Sequence, residues 1–172
     1  MLGQLYEGED CSAARALELV GERWSLLILR DALFRHSTRF AEFQRSLRIA
    51  PNILAKRLDG FVSAGILDKR PRLGRTDQHD YVLTEMGMSL KPVVMALTAW
   101  GDRWIGPGPV VFTHAECGGL VDQVVRCGSC DRDAAPSAIA ATVREDRHRR
   151  QSSGVGIAGG GGSRPRAARR RR

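Results

Sequence analysis

Apolar side chains recur at helical spacing on both sides of a short break in the middle of the chain. Between Arg39 and Gly65 the spacing predicts one amphipathic helix over about 40–47 and a second over about 51–64. Pro51 suits the first position of a helix and Gly65 suits a helix end, whereas Ala50 is a poor N-cap. Two short helices joined by a tight turn form a helix-turn-helix unit. The apolar positions are Phe40, Phe43 and Leu47, then Leu54, Leu58, Phe61 and Val62.

The preceding segment has the same helical periodicity. It predicts a helix over about 13–20, with Ser12 as its N-cap and Gly21 at its end. A second helix is expected over about 23–34. Its WSLLIL segment is apolar almost all round, so it should be the central core helix.

The pattern changes to strict alternation after Gly65. Residues 66–70 and 80–83 alternate apolar and polar, which predicts two strands joined by a polar segment that contains Gly74. A β-hairpin directly after a helix-turn-helix is the arrangement of a winged helix. The apolar stripe then predicts one long helix over about 85–104, capped by Thr84. That helix would form a dimer interface or pack across its own domain.

The predicted fold is therefore mainly α with a small β-hairpin wing. We expect a polar leader over 1–10, a winged helix-turn-helix domain over 11–108 that includes the dimerisation helix 84–104, and a small His/Cys hairpin over 109–135. Residues 136–172 are rich in Arg and Gly, which predicts a disordered basic tail. The tail would either attract phosphates or be inert.

Positive charge has two separate sources. The formal net charge is +8, and residues 144–172 alone, with ten arginines and two acids, account for that excess. Within the neutral remainder, residues 30–75 carry eleven basic and four acidic side chains. The local excess of +7 lies on the helix-turn-helix and wing, as expected for a surface that binds phosphates.

The second helix of the unit carries polar side chains suited to base edges in the major groove of double-stranded DNA. The Asn52 side chain can form hydrogen bonds with an adenine edge, and those of Lys56 and Arg57 can form them with guanine. Arg57 could bind a phosphate instead. Five arginines of the helix-turn-helix and wing should contact phosphates. These are Arg39, Arg45, Arg70, Arg72 and Arg75.

These segments, in unbroken order over about residues 11–104, resemble the HxlR family of bacterial winged helix-turn-helix regulators. The resemblance implies a homodimeric transcription factor, usually a repressor, that binds an operator of inverted repeats. Family members usually have Ser where Ala50 stands. The pieces that carry the resemblance are ALELVGERWSLLILRDAL, RFAEF, RIAPNILAKRL, AGILDKR and YVLTEMGMSLKPVVMALTAWG.

Some members of that family sense oxidants or electrophiles through a cysteine just before the first helix. Cys11 has that position here. A helix N-terminus favours a thiolate, but Glu7, Glu9 and Asp10 oppose it. Redox sensing, with an oxidant or small molecule as effector, and a plain half-buried cysteine both stay open.

A second cysteine cluster follows the long helix. His114-x-x-Cys117 and Cys127-x-x-Cys130 have the paired spacing of a four-coordinate structural zinc site, with a short strand over 120–125 between them. No other cofactor is indicated. The alternatives are a hairpin that binds nothing or a thioredoxin-like thiol pair at Cys127 and Cys130, although the βαβ context of the latter is missing.

Nothing in the sequence indicates an enzyme, a secretory signal or a membrane span, so we expect a cytoplasmic protein. The four histidines lack the partners of a nucleophilic site. The alternatives to a DNA-binding regulator are a thiol redox protein that uses Cys127 and Cys130, and an interaction module that no longer binds DNA.

Overall fold

The structure is a computed structural model and describes residues 11–72 and 74–142. The predicted leader over 1–10 and the tail from residue 143 onward lie outside the described residues. The described chain divides into two compact units, with the boundary between Gln123 and Val124. The helices are α1 (Ser12–Val20), α2 (Ser25–Phe34), α3 (Phe40–Leu47), α4 (Pro51–Ser63), α5 (Glu85–Met88) and α6 (Lys91–Trp104), and the strands are β1 (Leu67–Arg72) and β2 (Arg75–Leu83).

The first unit is a winged helix-turn-helix domain, as the sequence predicts. α3 and α4 are joined by a short turn, and β1 and β2 pair antiparallel from Leu67 opposite Leu83 to the tip. The hairpin is longer than predicted because its polar tip also pairs, with an irregular register between Pro71 and Arg72.

The core lies where α2, α3, α4 and the hairpin meet. Ile28 and Leu29 of α2, Phe43 of α3 and Leu58 of α4 are fully buried. These are the positions that the apolar spacing selects, so burial of the stripes explains why these segments are helical. Ile66 and Leu67 continue the core into the hairpin.

A charged residue lies inside this core. Asp31 of α2 is fully buried, and its Oδ1 accepts hydrogen bonds from Arg30 Nε and Nη2 at 3.0 and 2.7 Å. Its backbone carbonyl accepts from the N–H groups of Arg35 and Ser37, both at 3.1 Å. Asp31 therefore fixes the end of α2 and the chain that leads into α3.

The prediction of one long helix over 85–104 was wrong. The chain forms α5 and α6 with a turn at Ser89 and Leu90 between them. Pro92 is the reason, because proline lacks an N–H and its ring would clash with the carbonyl of residue 88 in a continuous helix. Proline is instead accommodated in the first turn of α6.

Helix ends explain two further features of the domain. Ser12 is the first residue of α1, so Cys11 and not Ser12 is its N-cap. Thr84 caps α5 as predicted: its Oγ1 accepts the N–H of Gly87 at 3.1 Å and donates to the carbonyl of Gly65 at 2.7 Å. The second bond joins the start of α5 to the end of the α4–β1 connection.

Residues 113–133 form two tight loops. One is closed by an isolated bridge between Thr113 and Leu120, the other by a bridge between Arg126 and Asp133. The predicted strand over 120–125 was wrong, since among the described residues only Leu120 of that stretch takes part in a bridge. Pro136–Ala138 forms a single 3₁₀ turn where the disordered tail was predicted to begin.

No helix in the described ranges has both the length and the apolar character needed to cross a membrane.

Candidate nucleic-acid interface

The exposed face of α4 carries a cluster of three side chains, Asn52, Ile53 and Lys56. All three are exposed. Within the described residues, neither Asn52 nor Lys56 makes a side-chain hydrogen bond or an ion pair. Leu54 and Leu58 of the same helix are fully buried, so the apolar stripe holds this cluster outward.

The start of α4 lacks a side-chain cap, as predicted from Ala50. Ala50 has extended backbone angles of φ −61° and ψ 136° and no side chain that could accept from the first turn. Its carbonyl accepts the N–H of Leu54 at 3.0 Å, and Pro51 begins the helix. The N–H of Ile53 also donates to the Ala50 carbonyl, at 3.1 Å, and Pro51 has no N–H, so α4 begins on backbone hydrogen bonds alone.

The turn between α3 and α4 carries basic side chains. Arg45, near the end of α3, is exposed, and Arg48 is exposed in the left-handed conformation at φ 51°. The N–H of Arg48 bonds the carbonyl of Gln44 at 2.8 Å and so ends α3. Both guanidinium groups lie close to the start of α4 in sequence, where a phosphate backbone would run.

The start of α3 is fixed by Glu42. Its carboxylate accepts hydrogen bonds from the backbone N–H groups of Thr38 and Arg39, each at 3.0 Å. These two bonds, the Thr38 bond first, hold the pKa of the Glu42 carboxyl below its ordinary value of 4.5, and the charge of Arg39 acts in the same direction. Glu42 is therefore an anchor of the helix and is not available to a ligand.

The wing is tied to the start of α3 through Asp80. Arg39 Nε lies 3.9 Å from Asp80 Oδ1, and Arg72 Nε lies 3.9 Å from Asp80 Oδ2. The N–H of Tyr81 donates to the carbonyl of Thr38 at 2.7 Å. Two of the predicted phosphate contacts, Arg39 and Arg72, are thus brought together around one carboxylate.

An open groove runs between the start of α3 and the wing. Its volume is about 480 Å³, and its lining includes Arg39, Lys69 and Arg72 together with Gln78 and His79. Arg72 also donates to Gln78 Oε1 at 2.8 Å. Three cations around one open groove make it a suitable place for a phosphate group.

Arg57 has a different position from its neighbour Lys56. Only 12% of its side chain is exposed, and its Nη2 lies 2.7 Å from Glu22 Oε2 in the turn between α1 and α2. Arg57 Nε and Nη1 are buried and have no hydrogen-bond partner in the part of the chain that the structure describes. Of the three predicted base-contacting residues, Asn52 and Lys56 lie on the exposed face of α4, and Arg57 joins α4 to the first helices.

The two remaining predicted phosphate contacts lie on the wing. Arg70 is exposed and pairs with Asp68 at 3.0 Å on the same strand. Arg75 begins β2, with its backbone opposite Arg72.

Sequence reasoning missed two candidates on this surface, Ile53 and Arg48. Ile53 belongs to an apolar run and looks like a core residue, yet 38% of it is exposed. Ile53 does not belong to the buried stripe of Leu54, Leu58 and Phe61, and this spacing could have indicated that its side chain is exposed. Arg48 was passed over because a turn residue has no periodicity to follow.

The cysteines lie outside this surface. Cys11 is exposed at the start of α1. In the first loop, His114 Nδ1 lies 3.3 Å from Cys117 Sγ. In the second, the N–H groups of Cys130 and Ser129 donate to the Cys127 sulfur and lower the pKa of that thiol from its ordinary value of 9.0. No group of three or more metal-ligating side chains is assembled within residues 11–72 and 74–142.

The helix pair, its outward polar face and the basic wing define a winged helix-turn-helix protein. The chain belongs to the family described as HxlR-like helix-turn-helix, whose profile matches residues 19–109. The resemblance read from the sequence is thus confirmed.

Its relatives are transcriptional regulators. The chain is 40% identical, over 136 residues, to uncharacterized HTH-type transcriptional regulators of Mycobacterium tuberculosis and Mycobacterium bovis, covering 77% of this chain and 84% of each relative.

Solved structures agree with the fold. PA1607, a candidate transcription factor, matches with a TM-score of 0.70 and 34% identity over 81% of this chain and 97% of that one. A second candidate transcription factor, PA1374 from Pseudomonas aeruginosa, matches with a TM-score of 0.58 and 36% identity over 83% and 99%. The reduced form of the redox regulator HypR, at 24% identity and a TM-score of 0.50, is similar in fold.

Proposed function

We propose that this protein binds double-stranded DNA sequence-specifically, as a homodimer on an inverted-repeat operator, and represses the adjoining gene. The observation that carries the proposal is the outward face of α4, where Asn52, Ile53 and Lys56 are exposed. Within the described residues, α4 exposes an isoleucine between two polar side chains that make no hydrogen bond or ion pair, and such a helix face is suited to reading base edges.

Each residue of this face has a distinct role in the proposal. The Asn52 amide can donate to and accept from one adenine edge, and Lys56 can donate to guanine O6 or N7. Ile53 suits the methyl group of thymine. A well-made contact of this kind discriminates between bases by about 1–3 kcal/mol, so the three together can specify a half-site.

Phosphate contacts would position α4 in the groove. Arg45 and Arg48 flank its start, and the groove between α3 and the wing gathers Arg39 and Arg72. Asp80 holds these two arginines in place and neutralises part of their charge, so they would act as fixed hydrogen-bond donors. Arg70 extends the basic surface along the wing.

Dimerisation is supported by the apolar stripe of α6. Val93, Leu97, Trp100 and Trp104 recur at spacings of three and four, and they are 48%, 52%, 56% and 65% exposed. A continuous stripe that includes two tryptophans is a typical protein interface. Symmetric pairing of two chains through it would present two copies of α4 to the two halves of an inverted repeat.

The binding proposal is tested by footprinting and fluorescence anisotropy on the DNA upstream of the protein's own coding sequence. Lys56→Ala should weaken binding to the protected site and alter base preference within it. Arg72→Ala should weaken binding to all sequences about equally and reduce the salt dependence. Lys91→Ala, which removes the same charge from α6, is the matched control and should bind like the wild type. Wild-type binding by both Lys56→Ala and Arg72→Ala would refute the assigned surface.

The dimer is tested by analytical ultracentrifugation. Leu97→Glu should give a folded monomer that no longer protects the full operator. Val111→Glu, which adds the same charge at an exposed valine outside α6, should remain dimeric. A Leu97→Glu variant that sediments as a dimer would show that the stripe has another use.

Regulation through Cys11 is a further part of the proposal. The thiol is exposed and next to α1, so an oxidant or electrophile could reach it. Treatment with such a reagent should lower the operator affinity of the wild type and leave Cys11→Ser unchanged. An equal response of the two proteins would remove Cys11 from the mechanism. Because its target would be DNA, we place the protein's action in the cytoplasm.

A further inference from the structure

An open cavity lies between α1 and α4, and of the residues assigned to DNA binding it includes only Lys56. Its volume is about 650 Å³, which is within the range of clefts that hold small organic molecules. Glu18 and Leu19 of α1 form one wall. The other wall belongs to α4 and its C-cap and consists of Lys56, Asp59, Gly60, Ser63 and Ala64.

The spacing of side chains on α4 explains why this space is open. The cavity-lining positions of α4 recur at intervals of three and four, so they form one stripe along the helix. A different stripe, with Leu54, Leu58 and Phe61, is buried in the core. Gly60 and Ala64 lie about one turn apart on the open stripe. Neither has a side chain large enough to fill the space beside α1, so a ligand could enter it.

The core and one ion pair hold the two walls in place. Val20, next to Leu19 on α1, is 8% exposed and belongs to the core, and Leu19 packs against it. Just beyond the end of α1, Glu22 Oε2 lies 2.7 Å from Arg57 Nη2 of α4. The cavity is therefore preformed, which lowers the cost of ordering the protein when a ligand binds.

The charges around the cavity favour a cation. The Glu18 side chain is partly buried and, within the described residues, makes no hydrogen bond or ion pair. A partly desolvated carboxylate is stabilised by a cation that brings N–H donors to it. Asp59 adds a second carboxylate, which is 66% exposed and lies 3.9 Å from Lys69 Nζ. The Lys56 ammonium is exposed to water, so it would attract an anion only weakly.

We propose that this cavity binds a small organic cation, a molecule with an apolar body and a protonated amine. The apolar body would lie against Leu19, Gly60 and Ala64. The amine would donate hydrogen bonds to the Glu18 carboxylate, and the Asp59 carboxylate would add to the attraction.

The bound cation would compete with DNA, and this part of the proposal rests on the proposed function. Lys56 lines the cavity and is also the residue assigned to guanine. A molecule seated beside Lys56 would crowd that side chain and keep it from a base edge. By linkage, DNA would weaken binding of the cation by the same factor as the cation weakens binding of DNA.

The first test is calorimetry on the full-length protein without DNA. The probes are tryptamine, which is a cation at neutral pH, the neutral compound tryptophol and the anion indole-3-acetate. All three have an indole body, and they differ in the charge that it carries. We expect tryptamine to bind once per chain. The other two should bind at least about tenfold more weakly, because each lacks the charge-assisted hydrogen bond to Glu18.

Two substitutions locate the bound tryptamine. Glu18→Gln removes the charge and should weaken binding by about tenfold or more. Gly60→Leu fills the cavity and should abolish measurable binding. Glu116→Gln makes the same change as Glu18→Gln in an exposed residue outside the cavity, and this matched control should bind like the wild type. Far-ultraviolet circular dichroism checks the fold of each variant, and if Gly60→Leu does not fold, Glu18→Gln decides alone.

The second test measures DNA binding by fluorescence anisotropy, with and without tryptamine. At about ten times its dissociation constant, a ligand that excludes DNA lowers the apparent DNA affinity by about tenfold for each occupied chain. Glu18→Gln should bind DNA like the wild type and should not respond to the same concentration of tryptamine. That comparison separates occupation of the cavity from a direct action of the amine on DNA.

The ligand proposal is overturned if tryptamine shows no saturable binding, if indole-3-acetate binds more tightly, or if Glu18→Gln binds tryptamine as the wild type does. Saturable binding of tryptamine without a change in DNA affinity overturns the competition. Failure of the wild type to bind DNA in any condition would instead refute the proposed function, and the calorimetry would still decide the ligand of the cavity.

Discussion

Lys56 and Arg57 are adjacent cations on α4, and we expect removal of one to change DNA recognition and removal of the other to change stability. Only 12% of the Arg57 side chain is exposed, and its guanidinium group pairs with Glu22, whereas the Lys56 side chain is exposed. Arg57→Ala should therefore destabilise the fold and leave base preference unchanged. Lys56→Ala should change base preference and leave the free energy of unfolding within about 0.5 kcal/mol of the wild type.

The size of the Arg57 effect follows from its surroundings. Truncation removes about three buried methylene groups, worth about 0.8 kcal/mol each, and an ion pair worth about 1 kcal/mol because Glu22 is 40% exposed. It also removes Nε and Nη1, which are buried without partners, and this relief offsets about 1 kcal/mol. The net loss is about 2 kcal/mol, or about 8–16 °C in the unfolding temperature of a domain of this size.

Thermal and urea unfolding of Arg57→Ala, Glu22→Ala and the double variant give the coupling between the two side chains. We expect a coupling energy of about 1 kcal/mol, and operator selectivity equal to that of the wild type at a temperature where Arg57→Ala is folded. A variant of normal stability with altered base preference would refute the assignment of Arg57 to the fold.

Three other substitutions test the account. Ala50→Ser should add the missing N-cap of α4 and raise the free energy of unfolding by about 1 kcal/mol in urea titrations, and a loss of stability would contradict the described start of that helix. Glu42→Gln removes a carboxyl with a lowered pKa, whose stabilisation is present above its ordinary value of 4.5 and is lost as pH falls below it. The variant should be less stable than the wild type at neutral pH, and a difference that does not shrink in acid would oppose the predicted role. Gly87→Ala would place a Cβ 2.3 Å from the carbonyl oxygen of Ile66, so we expect a loss of about 1–3 kcal/mol by thermal unfolding, and an unchanged midpoint would contradict that close approach.

Much of the winged helix could be predicted because its segments are locally consistent. The spacing of Phe40 to Leu47 and of Leu54 to Val62 has a helical period, and burial of those faces is what makes the helices form. The hairpin was equally visible as alternation between Gly65 and Thr84. The charge excess of residues 30–75 pointed to the same region independently of the tail.

The parts that sequence reasoning missed depend on contacts between distant segments. Nothing near Arg57 in sequence indicates that its partner is Glu22, and nothing near Asp31 indicates a fully buried carboxylate. The break before α6 has a local cause, because Pro92 is visible in the sequence. The prediction of one continuous helix followed the apolar stripe and did not take this proline into account.

The central claim is that the exposed face of α4 reads bases, and selection of DNA from a random pool tests it most directly. The wild type should enrich an inverted repeat whose half-sites lie about one helical turn, or about 10 base pairs, apart. Lys56→Ala should lose preference at one position in each half and keep the rest. Enrichment of the same sequence by Lys56→Ala, Asn52→Ala and the wild type would contradict the claim.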